Sequence, residues 1–209
     1  MRKVLLAILT VFIFIGCGEE KQEAQATPIK IQKENQYKIG DKIKLKGVNG
    51  KEITLVRTEE GFKLDGEKKI LMIDIFGTFC EPCREEAAHL TSFQVNNIDD
   101  FFMVGLNHFE DVTDEEIKEN FMKKYNGYYF IANNQDNPNE KIIEQILVDL
   151  DYKRALTVPF KVVYNTDGVI ERLTDNEMKV PEGKEYYIGQ VGTRILNADI
   201  GRIRDAKTK

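Results

Sequence analysis

Ile70-Leu71-Met72-Ile73-Asp74-Ile75-Phe76 runs directly into Gly77-Thr78-Phe79 and then Cys80-Glu81-Pro82-Cys83-Arg84. The first seven residues are apolar except Asp74 and show no alternation, the pattern of a strand buried on both faces. A helix is expected from about Cys80 through Glu85, Ala87, Leu90 and Phe93, because Pro82 in a first turn gives up no intrahelical hydrogen bond. A buried strand that turns sharply into a helix points to layered α/β architecture.

The flanking segments extend that reading. Upstream, Ile43-Lys44-Leu45-Lys46 alternates strictly and Glu52–Arg57 is strand-like, with Asn49-Gly50 between them as a hairpin signal. Phe62-Lys63-Leu64 before Asp65-Gly66 adds a short strand and turn. Downstream, Phe101–Leu106 reads as a buried strand. Asp114–Tyr125 reads as a helix capped by Thr113 or Asp114, and Tyr128–Ala132 as a strand. A helix opening at Asn137-Pro138 carries Ile142, Ile143, Ile146, Leu147 and Leu150. Phe160–Tyr164 and Val169–Leu173 then flank Asn165-Thr166-Asp167-Gly168 as a hairpin, and Glu185–Arg204 is expected to close the domain as a helix. Such alternation predicts an α/β sandwich whose central sheet has parallel strands.

The chemistry is expected at Cys80 and Cys83. At a helix N-terminus a thiolate faces free backbone N–H groups and the positive end of the helix dipole. Two intervening residues in a helical turn bring both sulfurs within bonding range. An exposed Cys80 would attack a disulfide, and Cys83 would resolve the mixed disulfide from inside. Three other readings compete: a zinc site, a purely structural disulfide and an inactive module. A zinc site needs further ligands, and the two histidines, His89 and His108, do not stand at a familiar finger spacing; both are expected to be surface or satisfied residues. Asp74 is costly to bury as an anion, so its pKa is expected to rise. It could then accept the Cys83 proton, whereas a solvated aspartate would do neither.

Composition bounds the rest. The 209 residues are 42% hydrophobic and 31% charged, with a net charge of −5. That suffices for one packed core and, without basic runs, argues against nucleic-acid binding. The N-terminus reads as a secretory leader, Arg2-Lys3 before the apolar run Val4–Ile15, too short to span a bilayer comfortably. A simple anchor helix is the alternative. Residues 17–37 read as a polar tether.

Two sets of residues carry family resemblances. Gly16-Cys17 at the end of the leader resembles a bacterial lipobox, although Phe14 stands where that pattern prefers Leu. The resemblance implies cleavage after residue 16 and a lipid on Cys17. Asp74 through Arg84, together with Thr157-Val158-Pro159, resembles the thioredoxin superfamily, specifically its membrane-tethered TlpA- and ResA-type thiol–disulfide oxidoreductases. Phe76 and Phe79 replace the family's usual tryptophans, and Ala88 replaces a helix-kinking proline; Glu86 and Leu90 match.

This resemblance implies a thioredoxin-like fold over residues 38–205, a mixed central sheet flanked by helices. An N-terminal β-hairpin extension and a helical insertion at residues 137–153 are implied with it, leaving 206–209 as a tail. It implies a cis bond before Pro159, with Val158, Pro159, Phe79, Glu81 and Pro82 lining the substrate site and Cys80, Cys83 and Asp74 as catalytic residues. No metal and no cofactor beyond the Cys80–Cys83 disulfide are implied. The expected protein is an extracytoplasmic, lipid-anchored monomer acting on protein disulfides, among them apocytochrome c, and recharged by a membrane thiol donor. An oxidase or isomerase, or a binding lipoprotein without activity, remains the alternative. Glu81 beside the nucleophile, set against Arg84 and the helix end, leans toward a reductase.

Overall fold

The computed structural model describes residues 36–206. The expected leader (1–16), Cys17 as the expected lipid site, the expected tether up to residue 35 and the tail from residue 207 lie outside the described residues.

Five strands form the central sheet in the order β6-β5-β4-β7-β8. β4 (Ile70–Phe76) lies at its middle, parallel to β5 (Phe101–Asn107), which is parallel to β6 (Phe130–Ala132). On the other side β7 (Phe160–Tyr164) and β8 (Tyr187–Ile188) run antiparallel. Every residue of β4 is buried, as its unbroken apolar run requires, because each face of the sheet has its own core.

Strand alternation sorts side chains between these two cores. Ile70, Met72 and Phe76 join Leu90 and Phe93 of α1 (Glu81–Asn96), Phe121, and Leu196 and Ile200 of α4 (Thr193–Asp205). Leu71, Ile73 and Ile75 pack on the opposite face with Ile142, Ile143 and Ile146 of α3 (Asn139–Asp149). The same face receives a second, antiparallel sheet, β1 (Lys42–Lys46), β2 (Glu52–Arg57) and β3 (Phe62–Leu64), through Ile43, Leu45, Leu55 and Phe62. The N-terminal extension is thus a three-stranded sheet that covers half of the molecule's core. It is stitched to the β6 edge by a bridge between Gly47 and Ala132 and by Val48 N–H donating to Ile131 O. Arg57 of β2 and Asp149 of α3 form a buried two-pronged ion pair at 2.5 and 2.7 Å.

Three segments depart from expectation. The helix after β5 starts at the expected cap, with Thr113 and Glu116 in a reciprocal capping box. After α2 (Asp114–Ile117), however, it widens into a π-helical turn at Lys118–Lys123, where the adjacent Phe121 and Met122 are both buried. Val169–Leu173 is not a regular strand. Its backbone pairs only through single bridges, Ile170 to Tyr164 and Leu173 to Lys184, because β8 takes the place beside Phe160 and Lys161. The last helix begins at Thr193 rather than Glu185. Gly189, at φ +74°, turns the chain out of β8, and Gly192 stands at the helix cap.

Candidate active site

The site is built where β4 ends. Cys80 occupies the N-cap of α1, and its sulfur accepts a hydrogen bond from Cys83 N–H at 3.2 Å. The two cysteines are joined as a disulfide, with Cα atoms 5.3 Å apart. In this oxidised form Cys80 is not the exposed thiol expected: it is 6% exposed and Cys83 2%. The open surface beside them belongs to Phe79, 43% exposed, and to Glu81 and Pro82.

The turn that presents Cys80 is held from outside the motif. Glu110, just beyond β5, accepts hydrogen bonds from Thr78 N–H at 2.5 Å and from Thr78 Oγ at 2.6 Å, and from Asn107 Nδ2. Arg84 Nε donates to Thr78 O at 2.5 Å, and the guanidinium lies over the Tyr125 ring. Arg84 therefore braces the turn; its cation is engaged by a carbonyl and a ring. The Val158–Pro159 peptide bond is cis. Pro159 O accepts from Gly189 N–H, and the neighbouring Gln190 reaches Pro82 O and Glu85, which ties the Pro159 loop to the start of α1.

Beneath α1 lies the feature that sequence reasoning missed. Asp74 is buried, as expected for a functional acid and contrary to the solvated alternative, but it is not alone. Its cross-strand partner in β7 is Lys161, and α1 delivers Glu86 to the same place. All three side chains are essentially without solvent contact. Lys161 Nζ donates to Glu86 Oε1 at 2.5 Å and sits 3.2 Å from Asp74 Oδ1, close enough for charge attraction but outside hydrogen-bond geometry. Glu86 Oε2 accepts a further bond from Val191 N–H. Tyr129 crosses bare Gly105, the residue paired with Asp74 in β5, where an added Cβ would come within 2.9 Å of the ring.

Burial governs the titration of this group. It raises Asp74, with Lys161 opposing, and pushes Glu86 up to about 7, with Lys161 opposing and Asp74 adding. Burial alone would lower Lys161, but the two carboxylates outweigh it and hold the ammonium charged. Burial, then Asp74 and Glu86, keep the Tyr129 hydroxyl protonated.

A pH effect on stability follows for Glu86. The folded protein holds the Glu86 proton more tightly than the unfolded chain, whose glutamate titrates near 4.5. Between those values the folded state binds more protons, so stability falls as pH rises, and the full loss, on the order of 3 kcal/mol, is present above about pH 7. Glu86→Gln should flatten that decline. Urea melts of both proteins across this range measure it; an equal slope in the variant would assign the decline to another group.

The histidines divide. His89 Nε2 meets Val191 O at 3.0 Å and is satisfied. His108 departs from expectation: it is buried beside the active-site turn, its N–H bonded to Phe76 O, yet neither ring nitrogen meets a protein partner. Burial lowers its pKa and keeps it neutral. Among the described residues no three His, Cys, Asp or Glu side chains gather to hold a metal ion, and no helix is long and apolar enough to cross a membrane.

No family model and no curated protein sequence matches the chain. Solved structures do. A putative protein disulfide isomerase from Bacteroides thetaiotaomicron is 17% identical, with a TM-score of 0.51, covering 82% of this chain and 91% of its own. StoA from Bacillus subtilis is 16% identical, with a TM-score of 0.50, covering 77% of this chain and 96% of its own. A thiol:disulfide interchange protein of the thioredoxin family from Chlorobium tepidum is 17% identical, with a TM-score of 0.50, covering 80% and 94%. At these identities the likeness speaks for architecture, and with the sheet order above it gives this chain the thioredoxin-like fold.

Proposed function

We propose that the protein is a thiol–disulfide oxidoreductase that reduces disulfides in polypeptides outside the cytoplasm, its residues 38–205 tethered to the membrane by a lipid on Cys17. The observation that carries the reading is the Cys80–Cys83 pair capping α1 above buried ionisable side chains. In the dithiol form, Cys80 thiolate attacks a substrate disulfide. A mixed disulfide forms, and one substrate sulfur leaves as thiolate. Cys83 then gives its proton to the carboxylates beneath α1, Asp74 among them, and its thiolate attacks Cys80 Sγ. The Cys80–Cys83 disulfide forms and the second substrate thiol departs, so two electrons pass from enzyme to substrate. A dithiol donor at the membrane must restore the reduced pair.

Half-buried Val158, held by the cis bond to buried Pro159, and exposed Phe79, Glu81 and Pro82 are the residues assigned to substrate contact. Local charge supports the reductive direction. Exposed Glu81 adjoins the nucleophile while Arg84 is committed to Thr78 O and Tyr125. Less thiolate stabilisation makes the dithiol form less stable and the couple more reducing.

Two measurements test this. The protein should accelerate the reduction of insulin disulfides by dithiothreitol, and no acceleration would sink the enzymatic reading. Equilibration with glutathione should give a potential nearer thioredoxin's, about −270 mV, than a strong oxidant's, about −120 mV; the opposite result would reverse the direction.

A further inference from the structure

Two carboxylates and one ammonium share a site that excludes water. Strand alternation and register bring them together. Asp74 and Lys161 face each other across the antiparallel β4–β7 pair, and both point to the α1 side of the sheet, where Met72 and Val163 also lie. Glu86 stands three residues after Cys83, which places the two buried side chains on one face of α1. One cation cannot balance two buried anions, so the set retains a proton whenever its charge is neutral.

We propose that Lys161 is a positioning residue that makes Asp74 and Glu86 share a single proton, and so sets the pH at which Cys83 can be deprotonated. This rests on the redox reading above. The geometry indicates how the proton is apportioned. Ionised Glu86 is served by two donors, Lys161 Nζ and Val191 N–H, while Asp74 Oδ1 has none and is the better seat for a proton. Both acids hold their protons above the ordinary carboxylate range, as two carboxylates sharing one proton require. The other titratable groups packed near the set are Tyr129 from the segment before β6, which stays neutral; Tyr187 of β8, the cross-strand partner of Lys161, whose hydroxyl burial keeps protonated and which donates to Asp199 Oδ2; Cys83; and His89, whose ring is occupied by Val191 O. Lys161 is thus the cation in direct contact with the carboxylates, and the charge of the set turns on it.

The test uses Lys161→Met, which keeps length and removes charge, and Lys161→Arg, which keeps charge. In a single-turnover reaction of the reduced protein with a disulfide substrate, the rate of the resolving step is followed against pH. Without the ammonium both carboxylates hold protons to higher pH, so the rising limb should move up by about one unit or more in Lys161→Met. It should stay near its original position in Lys161→Arg. A folded Lys161→Met protein with an unmoved limb overturns the proposal, as does an Arg variant that shifts equally, since packing rather than charge would then be responsible.

A Lys161→Met protein that fails to fold leaves a second readout: the carboxyl carbons are titrated by NMR in the oxidised wild type, Lys161→Gln and Asp74→Asn. With one carboxylate gone, the remaining ion pair is balanced, so the Glu86 midpoint should fall in Asp74→Asn; it should rise in Lys161→Gln. An unchanged midpoint in both overturns the proposal. This readout needs no turnover, so a protein that reduces no disulfide would sink the enzymatic reading while the titration still judges Lys161.

Discussion

Serine at position 83 is expected to stop the reaction halfway. With Cys80 still able to attack, the mixed disulfide forms, but no second thiol is present to release it, and the substrate stays covalently attached. Serine at position 80 should instead remove exchange altogether and capture nothing, a loss of at least about a thousandfold for a missing nucleophile. Non-reducing gels of the two variants after incubation with a disulfide-bonded polypeptide, followed by mass spectrometry of the shifted band, distinguish them. The assignment follows from placement: Cys80 caps the helix and is the more open of the two, while Cys83 lies inside the first turn. Accumulation in Cys80→Ser rather than Cys83→Ser would reverse the roles.

The second large effect concerns stability. Arg57→Ala should destabilise the protein by about 3 kcal/mol, because it leaves the largely buried Asp149 without its cation between β2 and α3, served only by Gln145 Nε2. Burial raises Asp149 against the pull of Arg57 and Gln145, the direction expected of a pair carried at a desolvation cost. Replacing both partners together, as Arg57→Met with Asp149→Leu, should therefore recover most of the loss. Urea denaturation midpoints of the three variants decide it. An Arg57→Ala protein as stable as the parent would mean that the N-terminal sheet is not held to α3 by this contact.

Much of the molecule was legible because the deciding signals are local. The apolar run at Ile70–Phe76, the Asn49-Gly50 turn, the Thr113 cap and the Cys80-Glu81-Pro82-Cys83 turn each act within a few residues, and the structure has each in place. What escaped depends on register. Lys161 reads as one polar residue in Phe160–Tyr164, and only pairing with β4 reveals that it faces Asp74. Glu86 has the look of an ordinary helix-surface acid until α1 is laid on the sheet. Glu110 acts on Thr78 across 32 residues of chain, a link that periodicity cannot carry. The late start of α4 was signalled by Gly189 and Gly192, which count against a continuous helix. The burial of His108 had no comparable warning.

The central sheet also works as a partition. Asp74, Glu86, Lys161 and the disulfide belong to the α1 side, whereas α3 and the N-terminal sheet pack against the other. Substitutions separated in this way, with no shared contacts, tend to add independently. The α3 layer is therefore the place to harden the molecule against heat or denaturant: better packing around Ile142 and Ile146 could raise its tolerance while leaving the electron-carrying half untouched.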